Sequence, residues 1–112
     1  MYEDCFRESD WKLYRKKIDG WQEAYMAKLN REYIGILIRE NDPSVNFWEL
    51  DKRIREDKKK AGVVVEMKRS ALIMNIVELL SDNAIGLDDL EDFSDELKQT
   101  VHFLRTGERN FE

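Results

Sequence analysis

The residues with the clearest potential for catalysis are the single histidine, His102, and the single cysteine, Cys5. A cysteine beside a histidine can act as an activated nucleophile. Cys5 lies in a terminal segment, however, and a mobile terminus is a poor platform for preorganised chemistry. One histidine and one cysteine also cannot supply the three or four ligands of a His/Cys zinc site. We therefore expect His102 to be a structural or surface residue, and we predict no cofactor.

Acidic residues are concentrated between residues 82 and 96, which raises the question of a metal site. An EF-hand loop with Gly86 at its sixth position would place Ile85 at a ligand position, and isoleucine cannot bind Ca²⁺. A catalytic metal would need carboxylates that converge from separate elements, whereas these are interleaved with apolar residues on one segment. We expect a solvated helix face. Residues 88–96 also suggest an alternative function for the protein, as an acidic inhibitor of a basic protein.

The glycines argue against nucleotide chemistry. There are five of them, all far apart, so neither a GxGxxG loop nor a P-loop can be formed. A GxSxG nucleophile elbow is also absent from the sequence. We predict that the chain is not an enzyme.

Positive charge is concentrated at the end of the second predicted helix. Residues 1–60 carry a net charge of +1 and residues 61–112 a net charge of −6, which together make the chain acidic. The helix dipole favours cations at a helix C-terminus, so this cluster has a structural explanation. Nucleic-acid binding is the alternative function that it suggests. The cluster consists of Arg53, Arg55, Lys58, Lys59 and Lys60.

The elements that must position these residues are helical. Glycine and proline are rare in the 112 residues, and from Ser9 to Glu40 apolar residues recur every three or four positions. A helix of that length would measure about 45 Å, more than the diameter of a compact domain of this size. It must bend, break or protrude, and Gly20 is its weakest point.

A second helix is predicted from Val45 to about Lys60. Pro43 cannot continue the first helix, and Ser44 suits the N-cap position. Phe47 is expected on the apolar side of this helix, and Gly62 is expected to end it as a C′ residue.

The rest of the chain is predicted to form two or three shorter helices. We favour a helix over residues 63–80; the alternative is an extended piece over residues 63–69, with Ser70 capping a later helix. Ser94 and Gly107 should begin and end the final helix. The sequence thus predicts one all-α domain over residues 1–112, a long helical hairpin followed by a cluster of shorter helices. Residues 1–8 and 108–112 are expected to fray.

Aromatic residues on the first helix are the most informative feature for function. Core packing against the second helix is the simple interpretation of these rings. The first helix is longer than the second, however, so part of its apolar stripe should be exposed and available to a protein partner or a second copy of the chain. The residues predicted for this surface are Trp11, Tyr14, Trp21 and Tyr25.

Four stretches of the chain resemble a family of small, uncharacterised bacterial proteins that are sometimes labelled "multidrug transporter". They are DWKLYR (10–15), GWQEAYM (20–26), RIREDKKK (53–60) and DFSDELK (92–98). The resemblance implies a bacterial, free-standing, single-domain protein and supplies no site residues. The label conflicts with the sequence, which has no apolar stretch near the 18–20 residues or so that a membrane span needs. With one cysteine and an acidic N-terminus, the chain is predicted to be a cytoplasmic protein-interaction module without a membrane segment.

Overall fold

The structure is a computed structural model that describes residues 5–107, and it is all-α as predicted. No strand occurs in this part of the chain. Short 3₁₀ turns at Arg69–Ala71 and Leu87–Leu90 precede the last two helices. The four helices are α1 (Glu8–Leu37), α2 (Pro43–Asp57), α3 (Leu72–Ser81) and α4 (Asp95–Thr106).

The long first helix does not break, and it protrudes from the molecule. Helix α1 contains 30 residues and continues through Gly20, and the molecule measures 53 × 27 × 23 Å. The N-terminal half of α1 packs with α3 and α4, whereas its C-terminal half packs with α2 as an antiparallel hairpin. The far end of this hairpin lies beyond the rest of the molecule. Phe47 is therefore 60% exposed, although its spacing predicted that it would lie on a covered face.

The core lies at the base of the hairpin. It joins Trp11, Tyr14 and Ile18 of α1 to the apolar faces of α3 and α4. Helix α3 is buried on most sides, as expected for an element enclosed between the hairpin and α4. The members from α3 to α4 are Leu72, Ile73, Ile76, Leu79, Leu80, Ile85, Leu90, Phe93, Leu97 and Val101.

Both ends of α2 differ from the prediction. Helix α2 begins at Pro43, which suits the first helical position because proline needs no amide partner there, and so Ser44 is not the cap. The helix ends at Asp57, whose side chain is buried, and a series of turns follows. Gly62 is not a left-handed C′ residue, since Gly107 is the one glycine of the described chain with a positive φ.

The predicted helix over residues 63–80 is wrong in its first part. Residues 64–68 have no regular structure, and α3 begins only at Leu72, with Ala71 and not Ser70 before it. Residues 61–63 form a turn, in which the Val63 and Val64 amides donate to the Lys60 carbonyl at 2.9 and 3.0 Å. The Asn75 amide donates to the Glu66 carbonyl at 2.9 Å, which ties this segment to α3.

The limits of the last helix are confirmed. The Leu97 amide donates to Ser94 Oγ at 3.2 Å, and Gly107 ends α4 with φ of 79°. At the other end of the chain, Arg7 and Glu8 form ion pairs with Glu96 and Arg69. Residues 1–4 and 108–112, which are also predicted to fray, lie outside the described part of the chain.

Replacing Gly20 with alanine should raise the free energy of unfolding by about 0.5–1 kcal/mol, because alanine loses less backbone entropy in a helix. Gly20 is exposed in the middle of α1, and an added Cβ would meet nothing within 4 Å. Urea denaturation followed by circular dichroism measures the change. A loss of stability would show that α1 needs the flexibility of glycine at this position.

Candidate interaction surfaces

Three of the four aromatic residues predicted to form a partner surface belong to the core instead. Trp11, Tyr14 and Tyr25 are buried within the chain itself, and Tyr14 Oη accepts a hydrogen bond from Asn75 at 3.2 Å. Trp21 is half-buried and packs on Phe93, with ring centroids 6.2 Å apart. Trp11, Tyr14 and Trp21 pack on the core because α3 and α4 fold back onto the base of α1, whereas the Tyr25 ring lies against the turn at Gly62. The helical spacing could not reveal either contact.

An exposed stripe of small and apolar residues, interrupted by one arginine, lies on the opposite side of α1. Its members follow each other at steps of four, three, four, three and four residues, which puts them on one face of the helix. Ile34 is 58% exposed and Ile38, which follows α1 directly, is 75% exposed, whereas the other end of the stripe carries small residues. We call this stripe the α1 outer face; it consists of Gly20, Ala24, Ala27, Arg31, Ile34 and Ile38.

The α1 outer face was not predicted from the sequence, because three of its six residues are glycine or alanine and one is arginine. The same steps of three and four residues that identified the core stripe are present here. Other large apolar side chains are exposed at the end of α1 and at the start of α2: Leu37, Val45, Phe47 and Trp48. Large apolar groups concentrated at one end of a monomer commonly mark an interaction site.

The predicted basic cluster does not form one surface. Arg53 and Lys60 turn inward to Asp57, at 3.4 Å each, and Arg53 also contacts Glu32 at 2.7 Å. Lys58 and Lys59 remain exposed, and Arg55 pairs with Asp51 on the surface at 2.9 Å. Two of the five predicted residues therefore pair with Asp57 of the hairpin, and the other three are exposed on the surface.

Asp57 and Tyr33 form the polar centre of the hairpin. The Tyr33 hydroxyl donates to Asp57 Oδ2 at 2.7 Å. Burial disfavours a charged Asp57, but the hydrogen bonds from Tyr33 and Lys60 outweigh it and lower the pKa of this carboxyl below its usual value. Burial and the bond to Asp57 raise the pKa of Tyr33 to about 12. The hydrogen bond between Tyr33 and Asp57 joins α1 to α2. Because the pKa of Tyr33 is raised and that of Asp57 is lowered, neither group is suited to general acid–base catalysis near neutral pH.

Part of the acidic segment serves the fold as well. The Asp89 carboxylate accepts from the Gly86 amide at 2.8 Å, and Glu96 pairs with Arg7. Asp88, Glu91 and Asp92 are exposed. No observation on this face favours the acidic inhibitor over simple solvation.

The two residues considered for catalysis are both half-buried. His102 lies on α4 in a shallow depression that it shares with Leu87 and Lys98. Cys5 begins the described chain. Among residues 5–107, no three His, Cys, Asp or Glu side chains are grouped closely enough to hold a metal ion.

None of the described helices combines the length and the apolar character that a membrane crossing requires. Comparison of the chain with protein-family models, with curated proteins and with solved structures gives no match.

Proposed function

We propose that this chain is a non-enzymatic protein-interaction module that self-associates through the α1 outer face. The observation that carries the proposal is the exposure of Ile34 and Ile38 on the same helix face as Gly20, Ala24 and Ala27. The proposal places the protein in the cytoplasm, since a lone cysteine with no intrachain partner is typical of reducing compartments.

The α1 outer face is complementary to itself in an antiparallel arrangement. Its large residues, Ile34 and Ile38, lie at one end, and its smallest, Gly20 and Ala24, lie at the other. Antiparallel packing of two copies brings the isoleucines of each onto the small residues of the other, as knobs into holes. This contact obeys a two-fold axis and therefore closes as a dimer.

The size of the surface predicts a weak dimer. Ile34 and Ile38 are the only large apolar side chains of the α1 outer face, whereas a standard interface contains about 20–30 residues on each side. We expect a dissociation constant on the order of 10–100 µM.

Arg31 lies near the middle of the α1 outer face and limits the affinity. In the antiparallel dimer the two Arg31 side chains approach the symmetry axis, where their like charges repel. Added salt screens this repulsion, so association should become tighter as ionic strength rises. This salt dependence is opposite to that of a dimer held by ion pairs.

Sedimentation equilibrium of two variants tests the proposal. Ala24→Glu places a charge against the isoleucine of the other copy and should weaken dimerisation at least 10-fold, since an unpaired charge is costly in an apolar contact. Arg31→Leu removes the repulsion and should strengthen dimerisation about 10-fold. Both residues are exposed in the monomer, so neither change should lower helicity.

Gln99→Glu is the matched control, because it adds the same charge at an exposed position of α4. It should leave the dimerisation constant unchanged. A wild-type chain that stays monomeric at millimolar concentration would refute self-association. A dimer that Ala24→Glu leaves intact would assign the contact to another face.

A further inference from the structure

The outer face of α2 carries an exposed aromatic residue and several cations in one line. Trp48, Lys52, Arg55 and Lys59 follow each other at steps of four, three and four residues, so they share one side of the helix and of the turn that continues it. Arg53 lies on the opposite side, toward the interior of the hairpin. We call this line the α2 outer face.

The cations of the α2 outer face are available to a ligand. Within residues 5–107, Lys52, Lys58 and Lys59 are exposed and have no carboxylate partner. The Arg55 side chain is 67% exposed, and its one ion pair is with Asp51 on the surface. Together with Glu56, these four cations line an open depression of about 660 Å³.

The aromatic end of the line is held in place by a second ring. Phe47 packs edge-on against Trp48, with ring centroids 4.9 Å apart and planes at 90°. Trp48 nevertheless remains 63% exposed. A large flat ring, restrained but uncovered, is a suitable platform for stacking a planar group.

We propose that the α2 outer face binds single-stranded nucleic acid, with an unpaired base stacked on Trp48 and backbone phosphates at Lys52, Arg55 and Lys59. Aromatic platforms beside a basic track are how proteins hold single strands without reading their sequence. A duplex is excluded from this contact because its bases hide their flat faces in the stack. From Trp48 to Lys59 the line covers about 16 Å, enough for a few nucleotides.

This inference goes beyond self-association and is independent of it. The α1 and α2 outer faces lie on opposite edges of the hairpin, because each is about half a turn away from the side on which the two helices meet. A dimer formed through α1 would leave both copies of the α2 outer face open. Ala24→Glu should therefore leave nucleic-acid binding unchanged.

Fluorescence anisotropy with labelled single strands tests the proposal on the full chain. The probes are DNA and RNA oligonucleotides of about 15 nucleotides, near the upper end of known site sizes. With three or four phosphate contacts, the logarithm of the affinity should fall against the logarithm of the salt concentration with a slope of about −2 to −3. Between about 50 and 200 mM salt the affinity should drop roughly 30-fold.

Two variants separate stacking from charge. Trp48→Ala should weaken binding roughly 10- to 100-fold without changing the salt slope, because a base platform carries no charge. Lys52→Gln with Lys59→Gln should make the slope shallower by about 1.4. The matched control is Lys12→Gln with Lys16→Gln, two exposed lysines of α1 remote from this face, which should preserve affinity and slope.

Intrinsic fluorescence gives a second readout of stacking. Trp11 is buried and Trp21 is half-buried against Phe93, so quenching by a bound oligonucleotide should come from Trp48 and disappear in Trp48→Ala. Circular dichroism of the same variant checks that the fold is retained.

Several outcomes would overturn the proposal. No binding to either oligonucleotide in low salt would do so directly. Equal affinity of wild type and Trp48→Ala would show that no base stacks on Trp48 and that the cations bind any polyanion. Tighter binding to anionic lipid vesicles than to oligonucleotides would assign it to a membrane surface. A preference for RNA or for DNA would support the proposal and identify which of the two is bound.

Discussion

Replacing Asp10 with asparagine should lower the free energy of unfolding by about 2–4 kcal/mol, because hydrogen bonds to a buried charged acceptor are strong and leave unsatisfied groups when lost. Asp10 is only 2% exposed. Its carboxylate accepts from the Arg7 amide at 2.8 Å, from the Ser94 amide at 2.8 Å and from Ser94 Oγ at 2.5 Å. An amide of the same shape would turn an NH₂ group toward one of these donors.

The expected loss is large because one carboxylate starts two helices. Asp10 caps the first turn of α1 through Arg7, and it orients the Ser94 hydroxyl that accepts from Leu97 at the start of α4. Urea denaturation is the measurement, with Asp19→Asn as control, an exposed aspartate of the same helix. The double variant with Ser94→Ala should lose less stability than the two single changes added together. A cost below about 0.5 kcal/mol for Asp10→Asn would refute this role, since it would match an ordinary surface change.

Replacing Gly62 with alanine should lower the free energy of unfolding by about 2–3 kcal/mol, because the added methyl group overpacks a buried contact. An added Cβ would overlap Cδ2 of the Tyr25 ring and stand 2.6 Å from its Cγ. Tyr25 is buried, and the neighbouring turn is held by a hydrogen bond from Gln22 Nε2 to the Ala61 carbonyl at 3.1 Å. Neither the ring nor the backbone can move away without breaking packing.

The matched control is Gly20→Ala, the same chemical change in open space, for which we expect the opposite sign. A second variant isolates the clash: in a Tyr25→Leu background, where the ring is gone, Gly62→Ala should cost less than it does in the wild type. Equal costs in both backgrounds would show that the loss comes from the backbone at residue 62 and not from contact with Tyr25.

The helices themselves were predictable because their signals are local. Steps of three and four residues between apolar side chains indicate a helix regardless of what covers its apolar face. For this reason α1 was predicted within three residues at each end. Ser94 and Gly107 were also predictable, because a cap is formed by residues next to each other in the chain. Gly62 shows where such reasoning stops: the residue looked like a helix terminator, but the ring that requires a glycine there comes from Tyr25, 37 positions earlier.

The candidate surfaces depend even more on tertiary structure. Helical spacing places Trp11, Tyr14 and Tyr25 on one face but does not tell whether the rest of the chain or a partner covers them. It likewise gives no sign that Arg53 and Lys60 turn to Asp57, whereas Lys52 and Lys59 have no ion pair with any residue between 5 and 107.

The sequence by itself determined the helical class, the position of the hairpin turn and the capping of the last helix, because each follows from contacts within a few residues. Only the tertiary structure decided which faces of α1 and α2 are left uncovered. Exposure of a helix face is a property of everything that packs around it, so Ile34, Ile38 and Trp48 became candidates for binding only once the rest of the chain was seen to fold away from them.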